Sequence, residues 1–210
     1  MDNANLMLFI CLAAPLSMML FVFRGRSRAI LGYLLLGIFM CLFAGEVNGL
    51  ILRGTNYSQH YLTVNVTPMV EEILKALPVV FAAFVLRADR QELLEGSVAV
   101  GVGFATLENV CLLTNMHASP ALWLMIARGF GSGMMHGVST LAVGYSMTVI
   151  SSDKKISYAG TVAALSAAII YHSIYNIIVQ SEYAALGILL PAATFIPLLA
   201  AIGKKRISHE

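Results

Sequence analysis

The sequence is poor in charged residues, since Asp, Glu, Lys and Arg make up only 11% of its 210 residues while 59% are hydrophobic. A typical soluble domain has about 25% charged residues. Cysteine is scarce as well, and Cys11, Cys41 and Cys111 lie far apart in apolar runs. That number and spacing exclude a disulfide framework and a thiolate metal site. The composition predicts an all-α polytopic membrane protein, and the net charge of +2 gives no indication of a nucleic-acid partner.

Several common site motifs are also missing. The chain has no G-x-x-x-x-G-K-[ST] or G-x-G-x-x-G phosphate-binding pattern and no H-E-x-x-H zinc motif. A Ser–His nucleophile could use Ser139 or Ser173, but no nucleophile elbow surrounds either serine. Any active site must therefore be assembled from residues on separate helices.

Seven apolar segments are long enough to span a bilayer, at about residues 5–23, 29–52, 64–86, 92–115, 121–150, 156–180 and 183–203. Basic residues follow every odd-numbered segment, whereas the other connections contain only Arg53. The positive-inside rule then predicts a multi-pass protein of the cell membrane with its N terminus outside and its C terminus in the cytoplasm. We expect one integral membrane domain over residues 1–210, with a core of four catalytic helices in residues 64–180. Glycines at 129, 131 and 133 predict a bend or break in the fifth segment.

The third segment carries three charged residues in the stretch 67–78, TPMVEEILKALP. Each charge at membrane depth costs about 2.5–3.5 kcal/mol, so Glu71, Glu72 and Lys75 need a reason to be there. On a helix Lys75 lies one turn from both glutamates and can neutralise one of them. The other carboxylate is then available as a base. The alternative is that the Glu–Lys pair only joins helices.

Four further segments carry ionisable residues: Glu46, Glu108, Arg128 with His136, and His172. A four-residue spacing predicts one polar stripe on a single helix, formed by Arg128, Ser132, His136 and Thr140. His172 and Asn176 share a face in the same way. We expect Arg128 to be a counter-ion of Glu108 or Glu71, and the hydroxyls of Ser132 and Thr140 to bond the preceding turn.

The predicted orientation places Glu72, Glu108 and His172 about 10–13 Å from the outer helix ends, at 1.5 Å per residue. His136 is expected to lie deeper. Because Glu72, Glu108 and His172 lie at a similar depth in the membrane, we expect them to form one site. Either a glutamate helped by a histidine activates water while the remaining histidine and asparagine bind the oxyanion, or Glu72, His136 and His172 bind zinc. A non-catalytic scaffold or an ion-coupled transporter are the alternatives.

These motifs resemble, in order, those of the PrsW family of intramembrane proteases: Glu71-Glu72-x-x-Lys75, Gly103-Phe104-Ala105-x-x-Glu108-Asn109, Arg128 with His136-x-x-x-Thr140, and His172-x-x-x-Asn176. The pattern is more distantly similar to the CAAX prenyl endopeptidases and bacteriocin-processing enzymes. The resemblance covers about residues 64–180.

The resemblance implies a glutamic-type peptidase, with a metallopeptidase as the alternative. Its substrate would be a single-span protein in the lipid bilayer, cut near the extracytoplasmic side, as in site-1 cleavage of an anti-sigma factor. The carry-over makes Glu72 the general base with His136, and Glu71 the residue that orients Lys75 and the water. His172 and Asn176 would form the oxyanion site, and Glu108 would belong to the motif of this branch. No cofactor is expected, although zinc is possible.

Overall fold

The chain is helical throughout the part that the computed structural model describes, which is residues 3–115, 122–149 and 154–197. Its α-helices are α1 (Asn3–Met19), α2 (Gly25–Gly54), α3 (Gln59–Tyr61), α4 (Thr67–Phe81), α5 (Arg90–Thr114), α6 (Leu122–Val149) and α7 (Lys154–Val179). Two π-helical segments, Leu62–Val66 and Ala82–Leu86, flank α4 and make residues 59–86 one continuous helical stretch. A 3-10 turn at Ala184–Ile188 leads into helical residues 189–197.

Polar and apolar side chains are distributed as in a membrane protein. Large apolar side chains recur every four residues on α4 and are 42–52% exposed: Met69, Ile73, Leu77 and Phe81. The opposite face of α4 buries Glu71, Glu72 and Lys75. A soluble protein would bury the apolar face instead, so the exposed stripe faces lipid.

Three helices are long and apolar enough to cross a membrane: Gly25–Gly54, Arg90–Thr114 and Tyr158–Val179. The other four predicted spans coincide largely with helical residues where the structure describes them, while residues 121, 150 and 198–203 of the fifth and seventh spans lie outside the described ranges. Their crossing of the bilayer stays a prediction. The predicted break in the fifth segment is wrong, because α6 is a single helix of 28 residues. Glycine lowers helix propensity, but in a bilayer the backbone has no water to bond instead, so the helix continues through it.

Glycines bring the backbone of α5 against its two neighbours. A methyl group at Gly103 would lie 2.1 Å from the carbonyl oxygen of Leu34 on α2, and one at Gly101 would lie 2.2 Å from that of His136 on α6. Small residues permit such close approach between membrane helices. The contact at Gly101 sets the distance between α5 and α6, and thereby places Glu108 beside His136.

Candidate active site

Glu72 and Lys75 form the centre of a buried polar cluster. The ammonium Nζ of Lys75 lies 2.6 Å from Glu72 Oε1 and 2.6 Å from His136 Nδ1, and it donates a longer bond of 3.4 Å to Ser139 Oγ. Lys75 and His136 are 0% exposed and Glu72 is 1% exposed. Because the pair is on α4 and both partners are on α6, the cluster joins these two helices.

These neighbours fix the hydrogen positions on both histidines. Nδ1 of His136 accepts from Lys75, so its Nε2 carries the hydrogen and donates to Glu108 Oε2 at 2.9 Å. Nδ1 of His172 lies 2.8 Å from Glu72 Oε1. An ionised carboxylate only accepts hydrogen bonds, so this nitrogen carries the hydrogen and Nε2 of His172 has the lone pair.

Glu71 and His172 face each other with unused acceptor atoms. Oε2 of Glu71 and Nε2 of His172 are 3.7 Å apart, and both are buried without a hydrogen-bond partner among the described residues. Two lone pairs at this distance repel each other unless a proton, a water molecule or a cation lies between them. The pair is therefore suited to hold a water molecule or an ion.

A cavity of about 580 Å³ adjoins this pair. It is lined by the C-terminal parts of α2, α5 and α7 and by the N-terminal parts of α4 and α6, which the predicted topology places on the extracytoplasmic side. Four of the predicted functional residues line it: Glu71, Glu108, Arg128 and Asn176. Glu72, Lys75, His136 and His172 are not among its lining residues, so Glu71 is the member of the Glu71–His172 pair that lines the cavity. Of the two adjacent glutamates, Glu71 is thus the one whose carboxylate water in this cavity can reach.

The polar stripe predicted on α6 is confirmed, with two differences in detail. Thr140 bonds the carbonyl of His136 one turn earlier at 2.9 Å, as expected, but the hydroxyl of Ser132 lies 3.1 Å from Glu108 Oε2 instead. His136 does not lie deeper than the other groups, because it contacts Glu108 and its ring centroid is 4.8 Å from that of His172.

Asn176 reaches the predicted site, but its amide group has a structural partner. Its Nδ2 donates to the carbonyl oxygen of Thr63 at 3.0 Å. In the π-helical segment that carbonyl would bond the N–H five residues later, which is the position of Pro68. Proline has no N–H, so Asn176 supplies the donor that Pro68 lacks and joins α7 to the start of α4.

Arg128 makes neither of the ion pairs that the sequence predicted. It lies near enough to Glu71 and Glu108 for an electrostatic interaction, yet no hydrogen bond or ion pair connects it to another residue in the described part of the chain. Its Nε atom is buried without a partner. The N–H donors of Arg128 therefore remain available at the cavity.

Comparison with known families agrees with the motifs. The model of a family described as PrsW family intramembrane metalloprotease matches residues 15–202. The chain belongs to the PrsW family. No curated protein and no solved structure matches it significantly. Membership confirms the resemblance and makes the protein a member of a family of membrane proteases.

The PrsW family description names a metal, and the residues of a Glu–His–His set are present. Within the described ranges, Glu71, His136 and His172 each bring one ligating atom to within 4.8 Å of the others, with Glu71 where the sequence predicted Glu72. His172 fits a metal-ligand role, because its Nδ1 bonds a carboxylate and its Nε2 is unused.

His136 does not fit the same role in this arrangement. Both of its ring nitrogens are engaged, one by Glu108 and the other by Lys75. The ammonium group lies 2.6 Å from Nδ1, and its positive charge would repel an ion bound there. Zinc binding by this set therefore requires Lys75 to move away.

Two contacts of the site were not assigned a role from the sequence. Ser139 is 1% exposed, and its hydroxyl donates to Glu72 Oε1 at 3.2 Å. Phe104 lies under the cluster, with its ring centroid 5.1 Å from both Lys75 Nζ and the His136 ring. Ser139 lies one helical turn after His136, and this spacing was the sequence feature that could have placed it in the site. The aromatic face of Phe104 adds a favourable cation–π contact to Lys75.

Proposed function

We propose that this PrsW-family protein is an intramembrane endopeptidase that hydrolyses a membrane-tethered, single-span protein near the extracytoplasmic side of the cell membrane. The observation that supports this most directly is the pair of unpartnered acceptor atoms on Glu71 and His172 beside the cavity. The proposal includes the predicted topology of seven spans with the N terminus outside. Residues 64–180 then supply the catalytic helices.

In the proposed reaction, Glu71 and His172 hold the attacking water between them. Glu71 Oε2 takes a proton as the water oxygen attacks the carbonyl carbon of the peptide bond. The tetrahedral intermediate then expels the amine, which receives that proton from Glu71. The products are a carboxylic acid and an amine, and the carboxylate of Glu71 is regenerated.

Glu72 has a different proposed role from the one that the family resemblance implies. Its Oε1 already accepts from Lys75, Ser139 and His172. Its Oε2 has no partner among the described residues, but Glu72 does not line the cavity, so Glu71 is better placed to act as the base. We assign Glu72 to holding the imidazole of His172 in the tautomer that directs the lone pair of Nε2 toward the water. Lys75 neutralises the charge of Glu72. Glu108 orients the ring of His136 as Glu72 orients that of His172, by accepting a hydrogen bond from it.

The geometry supports a reaction without a metal step, because Lys75 stands beside His136 where a metal would bind. A membrane-tethered anti-sigma factor is the substrate class that the family resemblance suggests. Its juxtamembrane segment would enter the cavity from the extracytoplasmic side. A cavity of about 580 Å³ is large enough for a few residues of an extended chain.

The test is cleavage by purified protein of a panel of single-span reporter proteins. We expect the wild type to cut at least one reporter and Glu71→Gln to cut none, with both showing the same thermal unfolding midpoint. Glu46→Gln is the matched control, because it removes an acid that lines the same cavity. Full activity of Glu71→Gln would contradict the assignment of the base, and a wild type that cuts no reporter would contradict the proposed function.

A further inference from the structure

Arg128 is a partly buried cation whose Nε is buried without a partner, and no described residue accepts a hydrogen bond from its guanidinium group. Arginine has five N–H donors, and groups of this kind are normally paired when they are removed from water. Glu108 has His136 and Ser132 as partners instead, and Glu71 has none of the described residues as a hydrogen-bond partner at its Oε2. The unused guanidinium lines the cavity together with both acids.

We propose that Arg128 binds the carbonyl oxygen of the scissile peptide bond and stabilises the oxyanion that forms there. This inference rests on the proposed function. The family resemblance had given that task to His172 and Asn176, but the amide group of Asn176 donates to Thr63. Arg128 is the residue of the cavity that has both a positive charge and unspent donors next to Glu71.

The charges of the site favour a neutral carbonyl over a carboxylate as the ligand of Arg128. When both histidines are neutral, Glu71, Glu72 and Glu108 carry three negative charges against the two positive charges of Lys75 and Arg128. Glu46 and Arg53 on the cavity wall have opposite charges that cancel, so one negative charge is in excess. A substrate carboxylate would increase that excess. A carbonyl group brings no charge when it binds.

The reaction then moves the excess charge and does not increase it. As Glu71 takes the proton of the water it becomes neutral, and the negative charge appears on the carbonyl oxygen. Because Arg128 donates no hydrogen bond to Glu71, its donors form their bonds only with the oxygen atom that becomes charged. An interaction that is stronger in the transition state than in the ground state raises kcat.

The experiment removes the guanidinium group of Arg128 by substitution and then supplies guanidinium ions in solution. We expect Arg128→Ala to lower kcat on the cleaved reporter by about 10²–10³-fold, as for the loss of one oxyanion donor, with little change in KM. Millimolar guanidinium or methylguanidinium should enter the emptied cavity and recover at least about tenfold of this loss. Glu71→Gln should gain nothing from either ion. Arg53→Ala, which removes another arginine from the cavity wall, should keep wild-type kcat with or without them.

Activity of Arg128→Ala within about twofold of wild type would overturn the inference and leave the proposed function standing. A loss of activity that neither ion recovers, or a change in KM alone, would also overturn it. Should the alanine variant fail to fold, Arg128→Met keeps the apolar stem, and its expected signature is the same fall in kcat at constant KM. A wild type that cuts no reporter overturns both proposals.

Discussion

Glu71 and Glu72 are adjacent in the chain, and their carboxylates have opposite surroundings. Glu72 lies outside the cavity lining, and its Oε1 accepts hydrogen bonds from Lys75, Ser139 and His172. Glu71 lines the cavity and accepts no hydrogen bond from a described residue, and its Oε2 faces the lone pair of His172. Glu72 thus holds the neighbouring side chains in place, and Glu71 is directed at the proposed water molecule. The two should respond differently to substitution.

Substitution of Glu72 should destabilise the protein far more than substitution of Glu71. Glu72→Ala leaves the ammonium group of Lys75 buried without its counter-ion, and breaking a buried pair in this way costs about 3–5 kcal/mol. Glu71→Gln removes no hydrogen bond to a described residue, and we expect a change below about 1 kcal/mol. Thermal unfolding in detergent measures the difference. Equal shifts of the two midpoints would show that Lys75 depends on both acids.

Cleavage should persist after treatment with a strong zinc chelator, because the lysine at His136 replaces a metal in the proposed arrangement. The measurement is the rate of reporter cleavage before and after chelation and after addition of zinc. Glu71→Gln provides the background rate. Loss of cleavage that zinc restores would instead show that Lys75 moves aside and that Glu71, His136 and His172 bind a metal.

Gly101→Ala should disturb the site through the backbone. The added methyl group would meet the carbonyl oxygen of His136 at 2.2 Å, so α6 must move away from α5 at a cost of about 1–3 kcal/mol. Gly133→Ala on α6 is the matched control, because nothing lies within 4 Å of a methyl group there. We expect a lower unfolding midpoint and lower activity only for the first variant. Equal behaviour of both would refute the close contact.

Asn176→Ala should act through stability, because it removes the donor to the Thr63 carbonyl. An unsatisfied buried carbonyl costs about 1–3 kcal/mol. Pro68→Ala restores an N–H at the position that lacks one, so the double variant should recover part of the loss. The double-mutant cycle is measured by thermal unfolding. A large fall in kcat at unchanged stability would return Asn176 to the oxyanion site.

The cysteines provide a test of topology. Cys41 and Cys111 line the cavity, whereas Cys11 is exposed on α1. In a variant that retains Cys111 alone, a small membrane-impermeant thiol reagent should label the protein from the extracytoplasmic side of intact cells. The cysteine-free variant is the control for background. Labelling only from inverted membranes would reverse the predicted orientation.

The sequence was sufficient to predict the helical fold and the stripe on α6, because period and residue type alone determine which face a residue occupies. It could not decide which glutamate pairs with Lys75, since both lie one turn away and the choice depends on Ser139 and His172 from other helices. The level of His136 was predicted too deep because depth was counted from the outer end of each predicted segment. The hydrogen bond of Asn176 to Thr63 depends on a π-helical segment, which no residue pattern specifies. Pro68 did indicate that one backbone carbonyl in the preceding turn would lack an N–H donor.

The pairing of Lys75 with Glu72 also affects how the chain enters the membrane. These residues are three positions apart on one helix, so they can neutralise each other as α4 leaves the ribosome. The other partners of the cluster, His136, Ser139 and His172, are synthesised 61, 64 and 100 residues after the residues they contact. Until α6 and α7 arrive, Glu71 is the charged residue of α4 without a counter-ion on its own helix. The Glu72–Lys75 pair can thus form early in biogenesis, whereas the Glu71–His172 pair that faces the reactant is completed last.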